Sequence, residues 1–172
     1  MTQATVPVDA LAEIAGITPD SPIARLRATR PEIVRHTQAT FLAIFEPSDD
    51  SELSRTEREA AAVHFGTLTQ SPELTEWHRQ RLQATGPAGE QLAQIGTTFD
   101  PIDLTLREQA ILRHVELLTL RPATATDADI RALEAAGLSP AAIVTLAQLV
   151  AFLSFEIRAI AALRAIAGQL QP

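Results

Sequence analysis

The feature that most constrains this chain is its punctuation: each stretch of helical periodicity is bracketed by residues that start and stop helices. Ser54 with Glu57 and Thr105 with Glu108 form S/T-x-x-E capping boxes, in which hydroxyl and carboxylate satisfy free backbone donors at a helix start. Ser21-Pro22, Ser71-Pro72 and Ser139-Pro140 each place an N-cap residue before a proline at the first helical position, where a missing N–H removes no bond. Gly16 and Gly137 stand where periodic segments end, in the left-handed position that glycine tolerates best. No stretch alternates with β-branched enrichment. The expected fold class is therefore all-α, with about eight helices of unequal length and no sheet.

The expected order begins with a lead helix over Val8 to Ala15 and the turn to Pro22, the first part of a single domain over residues 1–172. A helix from Pro31 to Glu46 follows, with Val34, Thr37, Phe41, Ile44 and Phe45 along a face read as core. Further helices are expected over about Arg55 to Thr69, from Pro72 to near Gly86-Pro87, and briefly around Glu90 to Ile95. Gly96 to Asp103 reads as a loop, and helices then run from Thr105 to Leu120, from Asp127 to Ala136 under a Thr126 cap, and from Pro140 to about Ala167. Thr56-Glu57-Arg58-Glu59 echoes Thr105-Leu106-Arg107-Glu108, which leaves a weak internal duplication open.

Composition removes several kinds of chemistry. A hydrophobic share of 46% over 172 residues is enough for a core without staples, and with Cys 0 there is no disulfide, thiolate ligand or redox sulfur. All 14 basic residues are Arg, so a Schiff-base lysine is excluded. The net charge of −7 disfavours nucleic acid and anionic membrane surfaces as partners. Met1 to Pro7 lacks the basic start and apolar run of a signal peptide, and a cytoplasmic location is expected. The most apolar run, Ala141 to Phe155, carries Thr145, Gln148 and Ser154 and leads into Glu156 and Arg158, so it reads as a buried core helix rather than a membrane span.

The candidate site is Glu59 with His78. Glu59 lies in the first turns of an Ala-rich helix and His78 about two turns into the next, after the short break Gln70-Ser71-Pro72 that makes the two antiparallel neighbours. A carboxylate facing an imidazole in this way can orient it for proton transfer. Plainer roles stand beside this one. His78 next to Trp77 also suits a hydrogen-bonded histidine at a helix interface, Glu59 a first-turn acid paired with Arg55 or Arg58, and Ser71 an N-cap. Arg79 and Arg81 are either surface residues or holders of a substrate carboxylate. His36, His64 and His114 lie on separate helices with no H-x3-H spacing, so neither a metal nor a cofactor is expected.

Around Glu59 and His78 the sequence resembles the alkylhydroperoxidase D and carboxymuconolactone decarboxylase superfamily, whose motif is E-x11-C-x2-C-x3-H. Glu59 and His78 occupy the outer places, and Ser71 and Leu74 stand where the two cysteines would be. The segment Leu53 to Glu59 resembles the start of the family's motif helix. Glu116 to Pro122, Thr126 to Ile130, Leu133 to Ala142 and Phe152 to Leu163 resemble the closing half of its peroxidase-related branch. The resemblance covers roughly Ile23 to Ala167 and implies an alkylhydroperoxidase D-like helical fold and a symmetric homo-oligomer.

Thiol peroxidase activity does not carry over, because an unaided serine hydroxyl at Ser71 is far too weak an acid to replace a thiolate. The decarboxylase branch needs neither cysteines nor a cofactor and moves protons on a small acidic lactone. Its usual E-L-x-x-H run is altered here, Glu73-Leu74 lying one residue farther from His78. Two functions follow as expectations: a cofactor-free acid/base enzyme on a small carboxylated or lactone substrate, or a catalytically silent subunit or binding module that assembles with itself or an active relative.

Overall fold

The computed structural model describes residues 9–94 and 104–169. Among them are nine α-helices and no strand: α1 (Ala10–Ala15), α2 (Pro22–Ala28), α3 (Pro31–Phe45), α4 (Arg55–Leu68), α5 (Pro72–Gln83), α6 (Pro87–Leu92), α7 (Leu106–Leu120), α8 (Asp127–Ala135) and α9 (Pro140–Gln169), with a 3-10 turn at Pro122–Thr124 between α7 and α8. This agrees with the expectation of about eight helices. Pro22 and Pro31 each open a helix as read, and α2 and α3 stay separate because Arg30, preceding a proline, is pushed out of helical geometry to φ −130°, ψ 63°. The loop expected over Gly96 to Asp103 lies outside the described residues, as do Val8 and Ile95.

The expected caps form with few exceptions. Ser54 Oγ accepts from the Glu57 N–H at 3.2 Å while the Glu57 carboxylate accepts from the Ser54 N–H at 2.8 Å, and Thr105 with Glu108 repeats the pattern. Ser21 and Ser139 accept from the N–H groups of Ala24 and Ala142. Gly16 and Gly137 close their helices at φ 71° and 87°. The short helix expected at Glu90 to Ile95 starts earlier, at Pro87, because Gly86 at φ 108° turns the chain and Pro87 takes the first helical position. Ser71 stands at the N-cap position of α5, but its side chain caps nothing; its backbone carbonyl instead accepts from the Thr75 N–H and hydroxyl.

α4 is the hub. Ala60, Ala61, Ala62 and Val63 are all buried, so the helix is enclosed around most of its circumference, and it packs against α3, α5, α6, α7 and α9. Small residues bring α5 close: Gly66 lies where a Cβ would come within 2.4 Å of Thr75 Oγ1. The break between the two helices is closed by Gln70 at φ 53° and by the Ser71 N–H donating to the Gly66 carbonyl at 2.9 Å. The echo between the capped helices holds at the caps, but α4 turns directly into α5 whereas α7 reaches the shorter α8 through a 3-10 turn.

α9 buries Leu146, Leu149 and Leu153 against this hub and leaves Val144, Phe155 and Ile166 exposed along its other side. By length and composition alone it could cross a membrane, with a mean hydropathy of 1.8 over its best window, a longer apolar element than Ala141 to Phe155 suggests. In this fold its inner side is part of the hydrophobic core formed by the described residues.

Candidate functional site

The α4–α5 hairpin brings the two predicted residues together. His78 Nδ1 lies 2.7 Å from Glu59 Oε2, and both side chains are 0% exposed. The second carboxylate oxygen, Oε1, accepts from Arg81 Nε at 2.7 Å, one turn beyond His78 on α5. Arg81 then reaches outward, its Nη2 donating to Glu46 at the end of α3 at 3.0 Å. Glu59 is therefore held by His78 and Arg81, not by Arg55 or Arg58. The buried Arg58 faces the other way and donates to the carbonyls of Leu53 and Ile44, and burial pushes its guanidinium pKa down.

Aromatic rings from α3 and α5 enclose the pair. Phe45 lies 4.8 Å and Trp77 4.9 Å from the His78 ring, centre to centre, and the Arg81 guanidinium lies over Phe41 and Trp77 at 5.1 and 4.8 Å. The α3 aromatic face is thus core, as expected, and also the wall of the site. Arg79 is engaged elsewhere, its Nε donating to the Ala93 carbonyl. Ser71 is half-buried and Leu74 buried, and both line a cavity of about 150 Å³ with Ile157, Ile160 and Arg164. The Glu59–His78 pair converges, but it does not open onto any of the main cavities. A groove of about 520 Å³ lies instead between α7 and α8, lined by His114, Arg113 and Leu133 among others.

Sequence reasoning missed a further member. Glu156 of α9 is 0% exposed, and neither carboxylate oxygen has a hydrogen-bond partner. Burial, helped by the negative charge of Glu59, pushes its carboxyl pKa up to about 8. The signal was its register: Leu149, Leu153, Glu156 and Ile160 follow helical spacing, so the acid occupies an apolar stripe. Burial likewise pushes the imidazoles of His64 and His114 down, so both favour their neutral forms. Among the described residues, no three His, Asp or Glu side chains gather in a way that could hold a metal ion.

Helices wrapped around a buried Glu–His pair, without a thiol, define the class: the chain has the alkylhydroperoxidase D-like fold of peroxidase-related proteins, in a form without cysteine. It is similar to the alkylhydroperoxidase AhpD core structure of an uncharacterized peroxidase-related protein from Ralstonia eutropha JMP134, with TM-score 0.65 and 22% identity over 88% of this chain and 80% of that one. It is similar too to an uncharacterized peroxidase-related protein from Silicibacter sp. TM1040, with TM-score 0.67 and 21% identity over 94% of this chain and 86% of that one. No protein-family model and no curated protein sequence matches the chain.

Proposed function

We propose that this chain works without a thiol, as a cofactor-free acid/base enzyme of the alkylhydroperoxidase D-like fold, moving protons on a small carboxylated or lactone substrate as the carboxymuconolactone decarboxylase branch does. The observation that carries this reading is the 2.7 Å contact between Glu59 and His78, a carboxylate fixing an imidazole. Arg81 supplies a route to the pair, because it is bonded to Glu59 inside and to Glu46 at the surface. A substrate carboxylate that competes for the guanidinium is drawn to the site and loosens Arg81 from Glu59. Burying charged groups in this way costs several kcal/mol unless they are well paired, roughly the scale found for buried ions. Proton handling accounts for that arrangement better than a purely structural role does.

The test is turnover of carboxylated lactones by the purified protein. His78→Ala is expected to abolish it, and unchanged turnover in the variant overturns the role given to His78. Peroxide reduction by metal-free and haem-free protein is expected to be absent.

A second reading, a catalytically silent subunit or binding module, is favoured by the sealing of the site: Glu59 and His78 are fully buried and line none of the main cavities. The exposed apolar residues Val144, Phe155 and Ile166 of α9 support self-assembly into a homo-oligomer. Purification from the native cell, with mass measured in solution, tests it. A monomer at every concentration with no associated protein or small molecule counts against it.

A further inference from the structure

The groove between α7 and α8 exists because of how the two helices are joined. α4 and α5 touch closely at Gly66, whereas α7 reaches α8 through the 3-10 turn at Pro122–Thr124, and Leu133 is the one buried residue of α8. The opposite end is tied by Arg107 at the start of α7, which donates to the Gly137 carbonyl just beyond α8 at 2.7 Å and to the Glu52 carbonyl at 2.8 Å. With both ends fixed, the space of about 520 Å³ between the helices is formed before anything enters it, and its size falls within the roughly 300–1,000 Å³ of small-molecule sites.

Ala110 and Leu117 of α7 and Ala132 and Leu133 of α8 give the groove apolar walls. Of the charged residues that line it, Asp129 is committed to the α8 cap, one carboxylate oxygen accepting from the Thr126 N–H at 2.8 Å and hydroxyl at 2.7 Å. Glu116 and Arg121 face each other at 3.8 Å. Arg113 has no hydrogen bond or ion pair with any described residue. A surface arginine without a partner is ordinary by itself. Here, however, the next residue, His114, lines the same groove, is only 5% exposed, and has an Nδ1 without a hydrogen-bond partner. Native folds rarely leave a buried ring nitrogen unmet, and a polar group bound beside it removes the cost.

We propose that the α7–α8 groove is a binding site for a small monocarboxylate with an apolar body, an aryl or short alkyl acid. Arg113 takes the carboxylate, the His114 imidazole adds a hydrogen bond from its N–H, and the alanine and leucine walls take the body. One free guanidinium matches one negative charge, whereas a phosphate dianion would bring a second charge toward Glu116 and Asp129. The lining contains none of Glu59, His78 and Arg81, so the inference does not rest on the acid/base reading.

The experiment is a titration of the isotope-labelled full chain with phenylacetate, phenylethanol and phenyl phosphate, followed through the backbone amide signals by NMR. Phenylacetate is expected to move the amides of α7 and α8 saturably and to bind roughly tenfold tighter than the alcohol, about the worth of one charge-assisted pair at an open groove. Arg113→Met keeps the apolar stem without the charge and should bring the acid down to the affinity of the alcohol. Ala132→Leu, at an exposed position in the lining, fills the groove and should remove binding of the acid. Both variants leave His114 and the core intact. Absence of a saturable shift in α7 and α8, equal binding of acid and alcohol, tighter binding of phenyl phosphate, or undiminished binding in either variant overturns the proposal. So do shifts centred on Arg81 and Trp77, which would place the carboxylate at the Glu59–His78 site instead. Shifts in α7 and α8 that grow with protein concentration alone also overturn it, assigning the groove to a contact between copies of the chain.

Discussion

Glu59 and His78 meet at 2.7 Å in a core where neither is exposed, and Arg81 closes the other side of the same carboxylate. Glu59→Gln keeps the shape and removes the anion. Arg81 and His78 then lose a shared partner inside the fold, and breaking a buried pair from one side costs about 3–5 kcal/mol. Urea unfolding at pH 7 is the measurement, and a loss below about 1 kcal/mol would mean that the pair behaves as a surface contact. The double variant Glu59→Gln with His78→Gln should lose less than the two single losses added together, because the two residues share one interaction.

Glu156 fixes the sign of a pH effect. Its carboxyl is raised in the fold to about 8 from an ordinary 4.5, so the folded state holds a proton that the unfolded chain releases. The stability this contributes is fully present below 4.5 and is lost as pH rises through 8. The wild type should therefore weaken between pH 5 and 8.5 by an amount on the order of a few kcal/mol, and Glu156→Leu should flatten that slope. Unfolding curves at the two pH values decide it, and equal slopes in both proteins would show that the buried carboxyl has no such effect.

His64 and His114 act on the acid side. Burial holds both below the ordinary 6.5, so their contribution is present above 6.5 and is lost as pH falls through the lowered folded-state values. His114→Leu, which also removes an unpartnered buried Nδ1, should reduce the fall in thermal midpoint between pH 7 and pH 5. A midpoint that falls equally in both proteins would assign the acid sensitivity to other groups.

These predictions rest unevenly on what a sequence can disclose. Caps and proline starts were legible because they are local: Ser54 and Glu57 need only their own turn to find each other. Glu59 and His78 were legible because a short hairpin fixes which faces meet. Ser71 was misread as a side-chain cap because its backbone is set by the turn before it. At φ −105°, ψ 80° it lacks the extended geometry of Ser21 and Ser54, which aims the hydroxyl at the helix. Glu156 was missed because its burial is tertiary, produced when α9 closes over α4. Arg81 carried both a surface and a substrate reading, and only packing shows that it spans from the core to Glu46.

The same turn yields a test by substitution. Gln70 is the single non-glycine residue at positive φ among those described, at 53°. A Cβ in that region costs on the order of 1–2 kcal/mol, offset in part by the greater unfolded-state freedom of glycine. Gln70→Gly is expected to raise stability by about 0.5–1 kcal/mol, read from the urea midpoint. A loss would mean that the Gln70 side chain holds the turn by contacts that outweigh its backbone strain.

Gly66 separates helix propensity from helix packing. In an isolated helix Gly66→Ala would gain about 1 kcal/mol, because alanine gives up less backbone freedom. Here the added Cβ would meet Thr75 Oγ1 at 2.4 Å, Leu74 Cδ2 at 3.0 Å and the Thr75 Cα at 3.1 Å. The hydroxyl is tied to the Ser71 carbonyl at 2.9 Å, and the Cα is backbone, so relief requires α4 and α5 to move apart. Overpacking of this kind costs about 1–3 kcal/mol, which exceeds the propensity gain and gives net destabilisation. Gly168→Ala, with nothing within 4 Å, should instead be neutral or stabilising. Adding Thr75→Ala to Gly66→Ala removes the worst contact but not the backbone one, so it should recover part of the loss. Opposite signs for the two glycines in urea unfolding support close helix contact as the constraint that holds Glu59 against His78. A stabilised Gly66→Ala protein would show that the hairpin has slack and that the 2.7 Å contact is set elsewhere.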